Sequence, residues 1–216
     1  MPFDESILNT SSRLEVLRQL ALIDTDEEPF FDRLTAIASR ILGSPISLVS
    51  MVASNHQFFK SSHGLPAQLQ TARQTPLSYS LCQYVVMSGE PLIVTDATIN
   101  PTVKDNLAVK EFHVRSYLGM PLQTEDGERL GSFCVMDMKP RTWTDDEIAV
   151  IKAFSNVVNT EIDGRAQAHY ENRLDDYIAT AKPQLDRFEA DVDAADSLPA
   201  VIERLEALRM DILLTR

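Results

Sequence analysis

Apolar positions along the chain recur at two spacings, and the change from one to the other marks out the elements. Leu14, Leu17 and Leu20/Ala21 follow at helical spacing. They come after Ser12-x-x-Glu15, a pattern in which a Ser hydroxyl and a Glu carboxylate can bond the N–H groups left over by a first helical turn, so a helix over 12–22 is predicted. A second helix starts near Pro29, with Phe31, Leu34, Ile37/Ala38 and Ile41 on one side, and Gly43 and Pro45 end it. The run 46–53 then suits a core strand, and 57–62 its hairpin partner across Ser54-Asn55-His56. Residues 64–76 read as a loop long enough for a functional role. Ser78, Leu81/Cys82, Val85 and Val86 form a short helical stripe closed by Gly89 and Pro91, Leu92-Ile93-Val94 a brief strand, and 97–111 a loop with a short helix.

The chain is organised around 112–137. Val114, Leu118, Met120 and Leu122 fall at even steps along one arm, and Leu130, Cys134 and Met136 along the other. Phe133 and Val135 are apolar as well, so this hairpin is expected to be buried on both faces, with helices on one side and something enclosed on the other. The polar stretch 124–128 with its Asp126-Gly127 pair supplies the turn. Beyond Pro140, Thr144-x-x-Glu147 is a second capping box, followed by Ile148, Ile151, Phe154, Val158 and Ile162 on one face of a helix to about 163. Five or six antiparallel strands with helices on both faces make an α+β domain, placed at residues 1–164.

Residues 165–216 form a helical extension. Tyr177/Ile178, Ala181, Leu185, Phe188 and Val192 recur at three and four residues, and so do Leu198, Val201, Leu205, Leu208 and Ile212. Two amphipathic helices are predicted, broken at 193–197, with Ser197 as N-cap and Pro199 in the first turn; Pro183 bends the first helix or marks its start. Neither can hide its stripe alone, which leaves the domain body, each other or a second copy as its cover.

The strings Val114-Arg115-Ser116-Tyr117-Leu118-Gly119-Met120-Pro121-Leu122 and Leu130-Gly131-Ser132-Phe133-Cys134-Val135-Met136-Asp137 resemble the closing hairpin of the GAF family of small-molecule sensor domains. Stretches 14–32, 46–64 and 80–96 match bacterial GAF modules in order, and the resemblance covers roughly 12–163. It implies an unidentified small-molecule ligand held between one sheet face and the helix or loops above it. It also implies a role in signal transduction, and a homodimer formed through helix one, the 144–163 helix and the tail.

Composition narrows the function classes. The formal net charge is −12 and the pI about 4.7, which opposes nucleic-acid binding, since that affinity comes largely from Lys and Arg on phosphates. The start Met-Pro-Phe-Asp-Glu has neither a basic nor an apolar leader region, and nowhere do 18 uncharged apolar residues run together, so a soluble, cytoplasmic protein away from membranes is expected. The two cysteines, Cys82 and Cys134, sit in apolar runs and read as reduced core thiols.

Candidate chemistry is sparse. Ser132-Cys134-Met136 is the smaller and more polar set of the central hairpin, as a pocket wall would be, though periodicity leaves open which set faces inward. Phe58 and Phe59 lie on opposite faces of one strand, so at most one, taken here as Phe59, walls a cavity. Arg115 and Tyr117 share a strand face and are the first choice for an anionic or aromatic ligand, with an Arg stacked on Tyr over a packed helix as the plain alternative. His113 precedes that strand, where the resemblance places residues beside the pocket; the alternative is a solvent-facing histidine.

The bilin-binding GAF domains carry a Cys-His pair, but Gln83 follows Cys82, so no bilin attachment is expected. GAF-type free methionine sulfoxide reductases use several thiols in loops over the pocket; two are present here, and neither matches, so a thiol-dependent reductase stays the second hypothesis and a ligand-free dimerisation scaffold the third. The four histidines are dispersed, with no metal-ligand spacing, and phosphate-loop, Gly-x-Ser-x-Gly and His-Glu-x-x-His motifs are missing, so no enzyme is expected. A sensor of this sequence would report through its oligomeric state or a partner protein acting in trans.

Overall fold

The computed structural model describes residues 3–179 and 184–214. A short 3-10 helix at Glu5–Asn9 leads into α1 (Ser11–Gln19) and α2 (Pro29–Leu42), then the hairpin β1 (Ile46–Val52) and β2 (His56–His63). After them come α3 (Ala67–Ala72), β3 (Gln74–Pro76), a 3-10 turn at Leu77–Tyr79, α4 (Cys82–Ser88), β4 (Leu92–Val94) and α5 (Leu107–Lys110). The central hairpin is β5 (Ser116–Gln123) and β6 (Arg129–Asp137), followed by α6 (Asp145–Tyr170), α7 (Leu174–Ala179), α8 (Gln184–Asp193) and α9 (Leu198–Leu214). The six strands make one antiparallel sheet in the order β3-β2-β1-β6-β5-β4, the α+β arrangement expected.

Alternation splits the sheet as a two-sided core requires. Val49, Met51, Phe58, Leu118, Met120, Leu122, Phe133 and Val135 face a cluster built with α2 and α6, while Leu48, Phe59, Tyr117, Cys134 and Met136 face a second cluster under α4 and α5. Two bulges adjust this pattern. Val49 pairs with Ser61 and Ser50 with Phe59, which leaves Lys60 as the extra residue. Likewise Leu122 pairs with Gly131 and Gln123 with Arg129, and the unmatched Leu130 turns into the helix-side cluster instead of following Cys134 and Met136. Val114 lies before the strand and packs in the opposite cluster from Leu118, so the even-step series begins later than its spacing indicates.

The two capping boxes fare differently. Thr144 and Glu147 form theirs: the Thr144 hydroxyl accepts from the Glu147 N–H and the Glu147 carboxylate from the Thr144 N–H. Ser12 and Glu15 do not, because α1 starts a residue earlier, with Thr10 at the N-cap, and Glu15 accepts from Gln19 instead. What anchors this N-terminal stretch is Arg13, buried and donating to the carbonyls of Ile7, Leu8 and Val52 at 3.0, 2.5 and 2.5 Å. The presumed loop at 64–76 contains α3 and the edge strand β3.

α6 runs without a break past residue 164, so the expected domain boundary falls inside a helix. The tail packs on the body: Leu185, Phe188, Val192, Val201, Leu205, Leu208 and Ile212 are buried in the same cluster as α2, α6 and the sheet. Burial of side chains of this kind is worth about 2 kcal/mol each before ordering costs. Ser197 caps α9 as expected, accepting from the Ala200 N–H at 3.4 Å and the Val201 N–H at its carbonyl. Ala181 and Pro183 lie outside the described residues. Arg33 pairs with Asp186, and Arg40 with Asp193 at 2.5 Å, tying α8 to α2. Since one chain covers these stripes, they do not by themselves call for a second copy. No described helix is long and apolar enough to cross a membrane.

Candidate functional site

Between the sheet and the α3–α5 side lies a cavity of about 380 Å³. Its floor is Ile46 and Leu48 of β1, Phe59 of β2, Tyr117 of β5 and Met136 of β6; Leu69 of α3, Cys82 of α4 and Ala108 of α5 line it from above. The strand residues reach it because they share one face at period two. Tyr79 and Phe112 stack at the rim with centroids 4.9 Å apart, and the Tyr79 hydroxyl donates to Glu111 at 2.6 Å. That hydrogen bond raises the Tyr79 phenol above its ordinary value.

Polar groups in the wall are few and already engaged. Gln57 and Thr75 are both buried, and the Gln57 amide donates to the Thr75 hydroxyl at 2.8 Å. Among the lining residues Glu111 is the one charged side chain, and it sits at the exposed rim. The buried part of the cavity therefore offers no positive charge to an anion, and transferring a charged ligand there without a partner would be costly.

Of the residues singled out in the sequence, Phe59, Cys82, Tyr117 and Met136 line the cavity. Phe58 packs on the opposite side of the sheet, as strand alternation requires. Ser132 and Cys134 are buried behind the wall: the Tyr117 hydroxyl is 3.1 Å from Ser132 Oγ and donates to Cys82 Sγ at 3.4 Å, and the Cys82 and Cys134 sulfurs are 3.7 Å apart. Tyr117 can bend over the strand because position 119 is glycine; a Cβ there would lie 2.3 Å from the phenol oxygen.

Arg115 and His113 do not join this group. Arg115 precedes β5 and its guanidinium pairs with Asp96 at 3.3 and 3.1 Å, a contact that, with the Thr98 hydrogen bonds, holds the Asp96 carboxyl down to about 2. An opposite charge 19 positions away thus takes the guanidinium expected at the ligand. His113 is exposed, in a left-handed turn at φ 57°, and is not a lining residue. The wall residues Gln57, Leu69 and Thr75 went unread in the sequence. Gln57 shares a strand face with Phe59, and Leu65 and Leu69 stand at helical spacing; these were the available signals.

A second polar cluster lies on the other face. Lys60 Nζ meets Glu28 at 2.5 Å and donates to the Ala21 carbonyl at 2.9 Å, while Arg165 pairs with Glu28 and with Glu161 at 3.2 Å. Burial works against ionisation of Glu28, but Arg165 and Lys60 outweigh it and hold its carboxyl below the usual range. Every member here has a partner, as a buried ionic cluster needs. Among the described residues no group of three or more His, Cys, Asp or Glu side chains is placed to hold a metal ion.

Comparison with known proteins agrees with this architecture. A cyclic di-GMP phosphodiesterase of Pseudomonas aeruginosa is 33% identical over 161 residues, 74% of this chain and 27% of that protein, so the chain spans about a quarter of that relative's length. The free methionine-R-sulfoxide reductase of Neisseria meningitidis superposes with a TM-score of 0.54 at 16% identity, covering 78% of this chain and 96% of that one. The GAF domain of a phosphoenolpyruvate-protein phosphotransferase from Coxiella burnetii gives 0.52 at 18% identity, over 74% and 96%. At those identities the two structures bear on the fold alone. With the GAF domain model matching residues 26–162, the chain belongs to the GAF domain family.

Proposed function

We propose that this GAF module binds a small, uncharged and largely apolar molecule in the cavity between the sheet and α3–α5, and passes its occupancy to a partner protein in the cytoplasm. The observation that supports this is the wall: Ile46, Leu48, Phe59, Leu69 and Met136 present hydrocarbon, while Gln57 and Thr75 supply a single polar spot. A ligand biases the surrounding elements only as far as it prefers one arrangement of them. Output runs through helix contacts.

Native mass spectrometry of the freshly purified chain, followed by a thermal-shift series with small uncharged aromatics and aliphatics, tests this. A bound molecule released on denaturation is expected, with stabilisation of about 2.7 kcal/mol when ligand stands at a hundred times its Kd. Ala108→Trp, which fills the space, should abolish both while leaving the circular dichroism spectrum unchanged. No adduct, and no shift with any compound, would reject ligand binding.

One observation favours a second reading, a thiol-dependent reductase of a small oxidised metabolite: Cys82 borders the cavity with another thiol behind it. Absence of free methionine sulfoxide turnover with a dithiol reductant eliminates it.

A further inference from the structure

Cys82 opens α4, on the roof side of the cavity, and Cys134 lies mid-strand in β6 beneath it; 52 positions apart in sequence, their sulfurs stand 3.7 Å from each other. Both are free thiols and both are buried. Cys82 lines the cavity and Cys134 does not, so anything entering the cavity meets one sulfur first. A disulfide needs sulfurs at about 2 Å, a closure that side-chain rotation and a small helix shift can supply.

We propose that Cys82 and Cys134 form a hydroperoxide-reactive dithiol, in which Cys82 is oxidised through the cavity and Cys134 then closes a disulfide between roof and floor. In the first step the Cys82 sulfur attacks the terminal oxygen of a small uncharged hydroperoxide. The O–O bond breaks, an S–O bond forms, and the departing oxygen leaves as an alcohol, or as water from hydrogen peroxide, carrying the thiol proton. In the second step the Cys134 sulfur attacks the Cys82 sulfenic acid. The S–S bond forms, the S–O bond breaks, and hydroxide departs with the Cys134 proton as water. The dithiol loses two electrons and the peroxide gains them.

The surroundings support this division of labour. The Cys134 thiol, and then the Tyr117 hydroxyl, hydrogen-bond Cys82 and hold its thiol below the ordinary value despite burial. Burial pushes Cys134 well above it. The thiolate is the reactive form, and Cys82, which faces the cavity, is the sulfur that an entering oxidant reaches. An apolar wall admits a neutral peroxide and discriminates against charged oxidants. This proposal does not require that the cavity also bind a sensory ligand.

The test uses the full chain, freed of reductant, exposed separately to equimolar tert-butyl hydroperoxide and hydrogen peroxide, quenched by alkylation and mapped by peptide mass spectrometry. The expected product is a cross-link between the Cys82 and Cys134 peptides, lighter by two hydrogens and reversed by dithiothreitol. In Cys134→Ser, dimedone should trap a sulfenic acid on Cys82; in Cys82→Ser, Cys134 should stay reduced. The wild-type map stands whether or not the variants fold. Two fully alkylatable thiols after treatment, oxidation confined to Met136 and Met138, or Cys134 reacting in Cys82→Ser as readily as Cys82 does in Cys134→Ser would each overturn the proposal.

Discussion

Individual side chains in this molecule are set by partners distant in sequence. Glu28 lies between Lys60 and Arg165, two cations that are themselves buried and depend on it for counter-charge. Glu28→Gln should cost about 3 kcal/mol at neutral pH, the usual consequence of leaving buried charges unpaired, and urea denaturation measures it. The pH dependence follows from the direction of the shift. The folded carboxyl ionises below the unfolded value, so its contribution is complete above pH 4.5 and fades as pH falls through the lower folded value. The variant should lose that acid sensitivity, and an unchanged slope of stability against pH in this range would contradict the assignment. At this scale the sequence was legible where alternation decides, as for Phe58 and Phe59, and illegible where a distant group decides. Nothing near Arg115 announces Asp96, and nothing near Cys82 announces Cys134.

Whole elements show which local signals survive folding. Thr144 and Ser12 head the same four-residue pattern, yet only Thr144 caps, because a 3-10 turn and the Arg13 anchor start α1 at Ser11 and place Ser12 inside its first turn. Thr144→Ala should therefore destabilise the protein by about 1 kcal/mol, and Ser12→Ala by less than about 0.5 kcal/mol. Paired thermal melts separate the two; equal losses would mean that Ser12 caps in solution. The core strands β1, β5 and β6 were readable because both faces are buried and most of their residues are apolar. β3 was not, since it is a three-residue edge strand in which Thr75 alone is buried. The bulges at Lys60 and Leu130 were hidden as well, because an unmatched residue is defined by the partner strand.

For the molecule as a whole, the tail completes the helix-side core. Arg209 of α9 donates to Thr160 of α6 at 3.2 Å, and Tyr177 of α7 donates to Glu161 at 3.2 Å beside the ionic cluster. A chain ending at Glu171 should lose on the order of 5 kcal/mol and, with α6 uncovered, self-associate in analytical ultracentrifugation. A truncated protein that stays monomeric with an unchanged melting temperature would show that the tail does not pack this way in solution. Two amphipathic helices were legible in the tail from their spacing. Their destination was not, since a stripe specifies that it must be covered and leaves the covering surface open.

α6 is gripped from two directions, with Val150, Phe154, Val157, Val158 and Ile162 all buried between the sheet on one flank and α9 on the other. A rod seated in this way has no smooth path for rotating or creeping along its axis, since each small step would unseat knobs on both flanks together. Motion through it comes as a jump of a whole turn, about 5.4 Å, or as release of the outer helix. Any message crossing this domain lengthwise is then a toggle, and a dose of stimulus changes how many molecules have flipped, not how far each has moved.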